Sequence, residues 1–281
     1  MANFVFLAVL FAAVCHAGWN ALIKVGLDPL STTTLIAIAS AVVALAALPF
    51  AGMPIFAAWP WIIASTIIHL FYFAALIESY RTGDLGQVYP IARGSAPLMT
   101  AVASLIFVGE HLRLASWIGI AALAGGVLLL SARGGRALAH IDKRAVGFAL
   151  LTALTICTYS VVDGVGARVS LNPQSYVLWL FVGFALVLPP YALWRGGRKV
   201  IPEMQRFWLR GFIGGALQVV SYGIVLWAMT LAPIAIVASL RETSVLFGSV
   251  IAVVVLKEPL RALRIVAALL IVGGLVLIRM Q

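Results

Sequence analysis

Ten long apolar runs, separated by short polar or turn-forming breaks, make up almost the whole chain. They cover residues 2–24, 31–51, 57–80, 84–107, 114–132, 145–168, 173–194, 206–230, 233–255 and 261–279. Each is close to the ~20 residues a helix needs to cross a bilayer. Helix-breaking residues stand between them, at Asp28-Pro29, Gly52-Met53-Pro54, Asn172-Pro173 and Pro259. The links Arg81-Thr82-Gly83 and Leu231-Ala232 are short enough to force antiparallel neighbours. The N-terminal MANFVFLAVLF lacks the basic start of a signal peptide, and its apolar run continues to Ile23, so it reads as the first helix. The pattern predicts an all-α polytopic membrane protein with ten transmembrane helices.

The runs also repeat. GEHLR at 109–113 and KEPLR at 257–261 are offset by 148 residues, and the same offset relates Arg93 to Arg241, Ser95 to Thr243, and Gly125-Gly126 to Gly273-Gly274. Five segments per copy is an odd number, so the second copy enters the membrane from the opposite side. This predicts two inverted five-helix repeats, 1–141 and 142–281, around a central cavity.

Composition agrees with a lipid-facing surface. Hydrophobic residues are 63% of the chain and charged residues 10%, against about 25% charged in a soluble domain. The formal net charge of +10 does not point to nucleic acid, because the basic residues sit mainly in short loops near lipid headgroups. Of the 19 Lys and Arg, fourteen fall on one side, among them Lys24, Arg133, Arg195 and Arg264. Arg113, Arg168 and Arg279 fall on the other, while Arg93 and Arg241 lie within segments. The richer side is expected in the cytoplasm, which places both termini outside. Cys15 and Cys157 lie inside apolar segments with no second ligand at metal spacing, and read as small packing residues.

Polar residues inside membrane helices usually face the bundle interior. His16, Asn20 and Lys24 form a stripe on the first segment, with Trp19 beside it. His69 and Tyr72 share a face of the third, and Glu78 lies near its end. Tyr89, Arg93 and Pro97 line the fourth, whose Pro90 and Pro97 predict an interrupted helix of the kind that borders transporter sites. Thr155, Tyr159 and Asp163 line the sixth, and Asp163 is free to pair with Arg93 or Arg241, bind a proton or face water. Gln218 and Tyr222 share a face of the eighth. Arg241, Glu242, Thr243 and Ser244 interrupt the ninth. The candidate substrate contacts are His16, Trp19, Asn20, His69, Tyr72, Tyr89, Arg93, Tyr159, Asp163, Gln218, Tyr222, Arg241 and Ser244. Their phenols, rings and arginines suit a small amphipathic solute. The arginines could equally serve an internal salt bridge.

The chain has no GxxxxGK[ST] loop for ATP, no HExxH and no GxSxG. An enzyme is therefore not expected, and no metal or other cofactor is implied. The ten segments, the closing GEHLR…GGVLLL and KEPLR…GGLVLI, and YRTGDLGQVYPIARGSAPL (Tyr80 to Leu98) resemble EamA-type members of the drug/metabolite transporter superfamily over essentially the whole chain. The resemblance implies a ten-helix basket in the cell (inner) membrane that transports metabolites, often outward, with YddG-type amino-acid exporters nearest. HAGWNALIK (His16 to Lys24) departs from that subgroup. The expected function is secondary transport of amino acids or similar small organic metabolites by alternating access. The alternatives are a lipid-linked-sugar flippase, a nucleotide-sugar carrier or a membrane enzyme. The expected partners are a small organic solute and membrane lipids, with the chain a monomer or homodimer.

Overall fold

In lipid no water satisfies backbone N–H and C=O groups, so a spanning chain must bond internally as helix. The computed structural model describes residues 1–23, 29–82, 85–131, 143–254, 257 and 262–280, and holds no strand among them. Lys24, Asp28, Gly83, Arg133, Arg136 and Arg261 fall outside these residues, as does Glu258-Pro259-Leu260 of KEPLR. The side chains of Tyr80, Arg81, Tyr89 and Pro90 are likewise outside the description.

The helices are α1 (Asn3–Ile23), α2 (Pro29–Ala51), α3 (Trp59–Thr82), α4 (Leu85–Ala103), α5 (Leu114–Ser131), α6 (Lys143–Val169), α7 (Pro173–Gly196), α8 (Val200–Arg206), α9 (Trp208–Leu231), α10 (Ile234–Arg241), α11 (Ser244–Val254) and α12 (Ala262–Arg279). Among the described residues nine spans are long and apolar enough to cross a membrane, and Leu114–Leu130 of α5 is a shorter tenth. The expected segments recur within a few residues, with two differences. The eighth begins at Trp208 and is preceded by the separate short helix α8. The ninth is two helices, α10 and α11, meeting at Glu242-Thr243.

The expected proline interruption of the fourth segment does not occur. α4 continues through Pro90 and Pro97 to Ala103 and ends in a π turn, Ser104–Val108, closed by Gly109 at φ 74°. Proline costs a helix one N–H and a steric adjustment, and the surrounding bundle holds α4 through both.

Turn chemistry ties the ends together. Asn172 caps α7 by accepting from the Ser175 N–H at 3.0 Å, and its amide donates to the Ala51 carbonyl at the end of α2 at 2.8 Å. The Ser175 hydroxyl donates to the Gly52 carbonyl at 2.8 Å. Arg279 reaches Asn3 at 3.0 Å, so both ends of the chain lie at one face of the bundle.

α3 and α4 pack on α6, α1 and α2 on α9, α2 on α7, and α5 on α12. α10 is the axis of the core, with every residue from Ile234 to Arg241 buried. The second glycine of each diglycine pair explains how closely α5 and α12 approach. A methyl at Gly126 would sit 2.8 Å from the Ala267 carbonyl oxygen, and one at Gly274 would sit 2.6 Å from that of Gly119. Gly125 and Gly273 face open space. Replacing Gly274 by Val should therefore lower stability by about 1–3 kcal/mol or more through overpacking. Gly273→Val should leave melting in detergent nearly unchanged. Equal losses from the two would show that close approach is not what the pair provides.

Candidate functional site

The break in the ninth span is local. Glu242 N–H bonds back to Ser239 at 3.0 Å and Thr243 N–H to Leu240 at 3.1 Å, so the helix tightens to i→i+3 bonding for one turn. The turn leaves Glu242 side by side with Arg241 deep in the bundle. Glu242 is 1% exposed, Arg241 3% and Arg93 5%.

Two arginines share this one carboxylate. Arg93 Nε of α4 lies 3.1 Å from Glu242 Oε2, and an Arg241 terminal nitrogen lies 3.4 Å from Oε1. Burying a charge in an apolar bundle is tolerated only with compensation of this kind. Arg93 also donates to His16 Nε2 of α1 at 2.7 Å and to the Ser244 hydroxyl of α11 at 3.5 Å. A guanidinium can only donate, so His16 accepts there as the neutral imidazole. The cluster Arg93–Arg241–Glu242 therefore carries one net positive charge.

Around it stands an aromatic wall. Arg241 lies 5.7 Å from the Tyr159 ring centre and donates to its hydroxyl at 3.4 Å. His69 stacks on Tyr159 with centroids 4.1 Å apart and touches Phe184 at 4.4 Å. Tyr72 stands edge-on to Tyr159 at 5.6 Å. Trp19 stands edge-on to His16 at 5.0 Å, and its buried indole N–H meets no acceptor among the described residues. The Asn20 amide donates to the His16 carbonyl at 2.8 Å.

Asp163 is 0% exposed. It pairs with neither arginine, both of which were open to it on sequence grounds. Tyr176 of α7 donates to Oδ1 at 2.9 Å, and Tyr222 of α9 donates to Oδ2. Among the described residues no Lys, Arg or His nitrogen forms an ion pair with it.

The remaining candidates are arranged differently. Gln218 accepts from Ser40 of α2 at 3.0 Å, which ties α9 to α2. Glu78 pairs with Arg195, both about a third exposed, at the end away from the termini. Tyr89 lies on α4, with its side chain outside the description. Two clefts of about 470 and 300 Å³ lie between α2, α7 and α9, and between α11 and α12. Neither is lined by Arg93, Arg241, Glu242 or Asp163.

The face carrying the termini is closed by a second, half-buried pair. Glu110, of GEHLR, accepts from Arg168 at 2.6 Å and from the Ile234 N–H at the start of α10 at 3.0 Å. Arg168 also donates to the carbonyls of Met229 at 2.8 Å and Ala232 at 3.1 Å, at the end of α9.

The EamA-like transporter family matches residues 3–132 and 143–280. The chain belongs to that family. With its long apolar helices, that membership makes it a multi-pass protein of the cell membrane. Within this EamA-like chain, 62 residues are 40% identical to an uncharacterized transporter in the cobO 3' region of a Sinorhizobium species, covering 22% of this chain and 40% of that protein. A further match of 68 residues is 38% identical to the uncharacterized protein y4nH of Sinorhizobium fredii, covering 24% and 55%. The matches thus span less than two thirds of either relative's length. A solved crystal structure aligns with TM-score 0.73 at 17% identity over 98% of this chain and 95% of that one, a likeness of fold.

Sequence reasoning noticed Glu242 but did not count it among the contacts, and it missed Ser65, Phe184 and Tyr176. Ser65 was within reach of pattern, since it stands one helical turn before His69. Nothing in spacing joins Tyr176 to Asp163. In the EamA-like bundle Glu242→Gln should cost about 3–5 kcal/mol, because it leaves two adjacent guanidinium groups without their counter-charge. Glu78→Gln, at an exposed pair, should cost less than about 1 kcal/mol. Thermal melting in detergent measures both, and similar small losses would mean Glu242 is not the counter-ion.

Proposed function

We propose that this transporter moves amino acids or similar small organic carboxylates, outward, by alternating access between the inverted repeats 1–141 and 142–281. One observation carries the reading. Arg93 and Arg241, matched at the 148-residue offset, converge on Glu242 at the helix break and leave one positive charge over. A single carboxylate neutralises it. A pyrophosphate-linked sugar brings at least two negative charges and fits this balance less well. The clefts open to lipid carry none of these charges, which favours a free solute over a lipid headgroup.

In this reading Arg93 and Arg241 hold the carboxylate, and Trp19 Nε1, Asn20 and Ser244 serve the other polar end. Tyr72, Tyr159 and Tyr222 flank the apolar part. The repeat reading is supported by packing, because α3 on α6 and α9 on α1 are one contact with the copies exchanged.

Proteoliposomes assayed with a panel of labelled amino acids test the substrate class. Several related amino acids should move and compete, since an apolar wall separates neighbours by only about 1–3 kcal/mol per methylene. Arg93→Ala and Arg241→Ala should each cut transport about 10- to 100-fold, the loss of a charge-assisted bond. Lysine should rescue poorly because it lacks the planar fork. Normal transport by both alanine variants would sink the reading, as would movement of a nucleotide sugar with no amino acid response.

The charge asymmetry places the termini outside. A periplasmic alkaline phosphatase fused after Gln281 should be active. Fluorescence of a cytoplasm-only reporter at that position would reverse the orientation.

A further inference from the structure

Asp163 itself has no role in the carboxylate site above, though its partner Tyr222 belongs to that site's wall. Asp163 is a fully buried acid, met by hydroxyl donors on two other helices and by no cation within ion-pairing distance among the described residues. His69 Nδ1 lies 2.9 Å from the Ser65 carbonyl and 3.2 Å from the Ser65 hydroxyl. A carbonyl only accepts, so Nδ1 carries the hydrogen. The Ser65 hydroxyl then accepts from His69. The ionisable groups around Asp163 are Tyr176 of α7, Tyr222 of α9 with His69 of α3 beside it, and Arg241 of α10. Tyr159 lies one turn away on α6 itself, and Arg93 of α4 stands beyond Glu242. The turns Phe56–Ala58 and Ser104–Val108, also packed on α6, carry no ionisable side chain.

We propose that Asp163 is a reversible proton-binding site linked to solute binding at the arginine pair. Protonation forms one O–H bond on the carboxyl, with the proton drawn from water. The carboxyl oxygen that was an acceptor becomes a donor, so one of its partners must turn from donor to acceptor. Tyr222 is placed to do so, because it is also part of the wall flanking the arginines. Ionised Asp163 balances the extra charge of Arg93–Arg241–Glu242. Neutral Asp163 leaves that charge to a carboxylate solute, so proton and solute bind together. The inference rests on the carboxylate reading only for this linkage, not for the proton site itself.

Two measurements on the full chain in liposomes keep these apart. Difference infrared spectra should show a protonated-carboxyl C=O band that appears reversibly as pH is lowered. Asp163→Asn should remove it, and Tyr222→Phe should move the pH at which it appears. L-phenylalanine binding should take up about one proton per molecule where free Asp163 is ionised, so its Kd should fall about tenfold for each unit by which pH is lowered there. Asp163→Asn should abolish both the uptake and the slope. Absence of an Asp163-dependent band overturns the proposal, as does unchanged proton uptake in Asp163→Asn. If L-phenylalanine does not bind, the amino-acid reading fails, and the band alone, with its response to Tyr222→Phe, decides the proton site. Should Asp163→Asn fail to fold, the Tyr222→Phe shift decides it, and an unmoved band counts against the proposal.

Discussion

Two guanidinium groups held around one buried carboxylate are the constraint on which the bundle turns. A lone arginine inside a membrane costs at least about 2.5–3.5 kcal/mol on the lenient insertion scale. Arg93 and Arg241 come from different helices and meet at Glu242, itself 1% exposed. The carboxylate must stand between them, and a tightened turn at Glu242-Thr243 puts it there. The break in the ninth span and the ion triad are therefore one feature. Glu242 belongs to the helix junction, and it brings α4, α10 and, through His16, α1 to a common point.

A second ion pair, Glu110 with Arg168, holds the face that carries the termini. It uses the start of α10 as a further partner, so one helix is anchored by charge at both ends. Such pairs contribute less to net stability than their geometry suggests, since desolvation offsets much of the attraction. Their consequence is specificity of arrangement. Breaking either set would remove a charge anchor from one end of α10.

The chemistry of the interior follows from charge balance. Three ionised groups leave one positive charge, neutral aromatic rings surround them, and a separate acid, Asp163, rests on hydroxyls. Membership of the EamA-like transporter family agrees with the proposed role. The proposed carboxylate solute is the ligand this balance favours, and the proton site is where the balance is adjusted.

Much of the fold was legible in the linear pattern. Lipid demands helix wherever an apolar run is long enough, so the ten segments, their breaks at Asn172-Pro173 and Gly52, and the even number of crossings follow from residues alone. Arg93 and Arg241 announced themselves by the cost of charge in lipid and by their shared offset. What the pattern could not reveal were contacts between helices. Asp163 was open to arginine partners in sequence, and only packing gave it Tyr176 and Tyr222. Gln218 sat on the expected face, yet Ser40 of α2 took it. Pro90 and Pro97 forecast an interruption in the fourth segment, while the break fell in the ninth, at Glu242-Thr243. Helix formation in lipid is a local requirement that each segment meets alone. Pairing of buried polar groups is not local, and is settled only when all the helices compete for the same few partners.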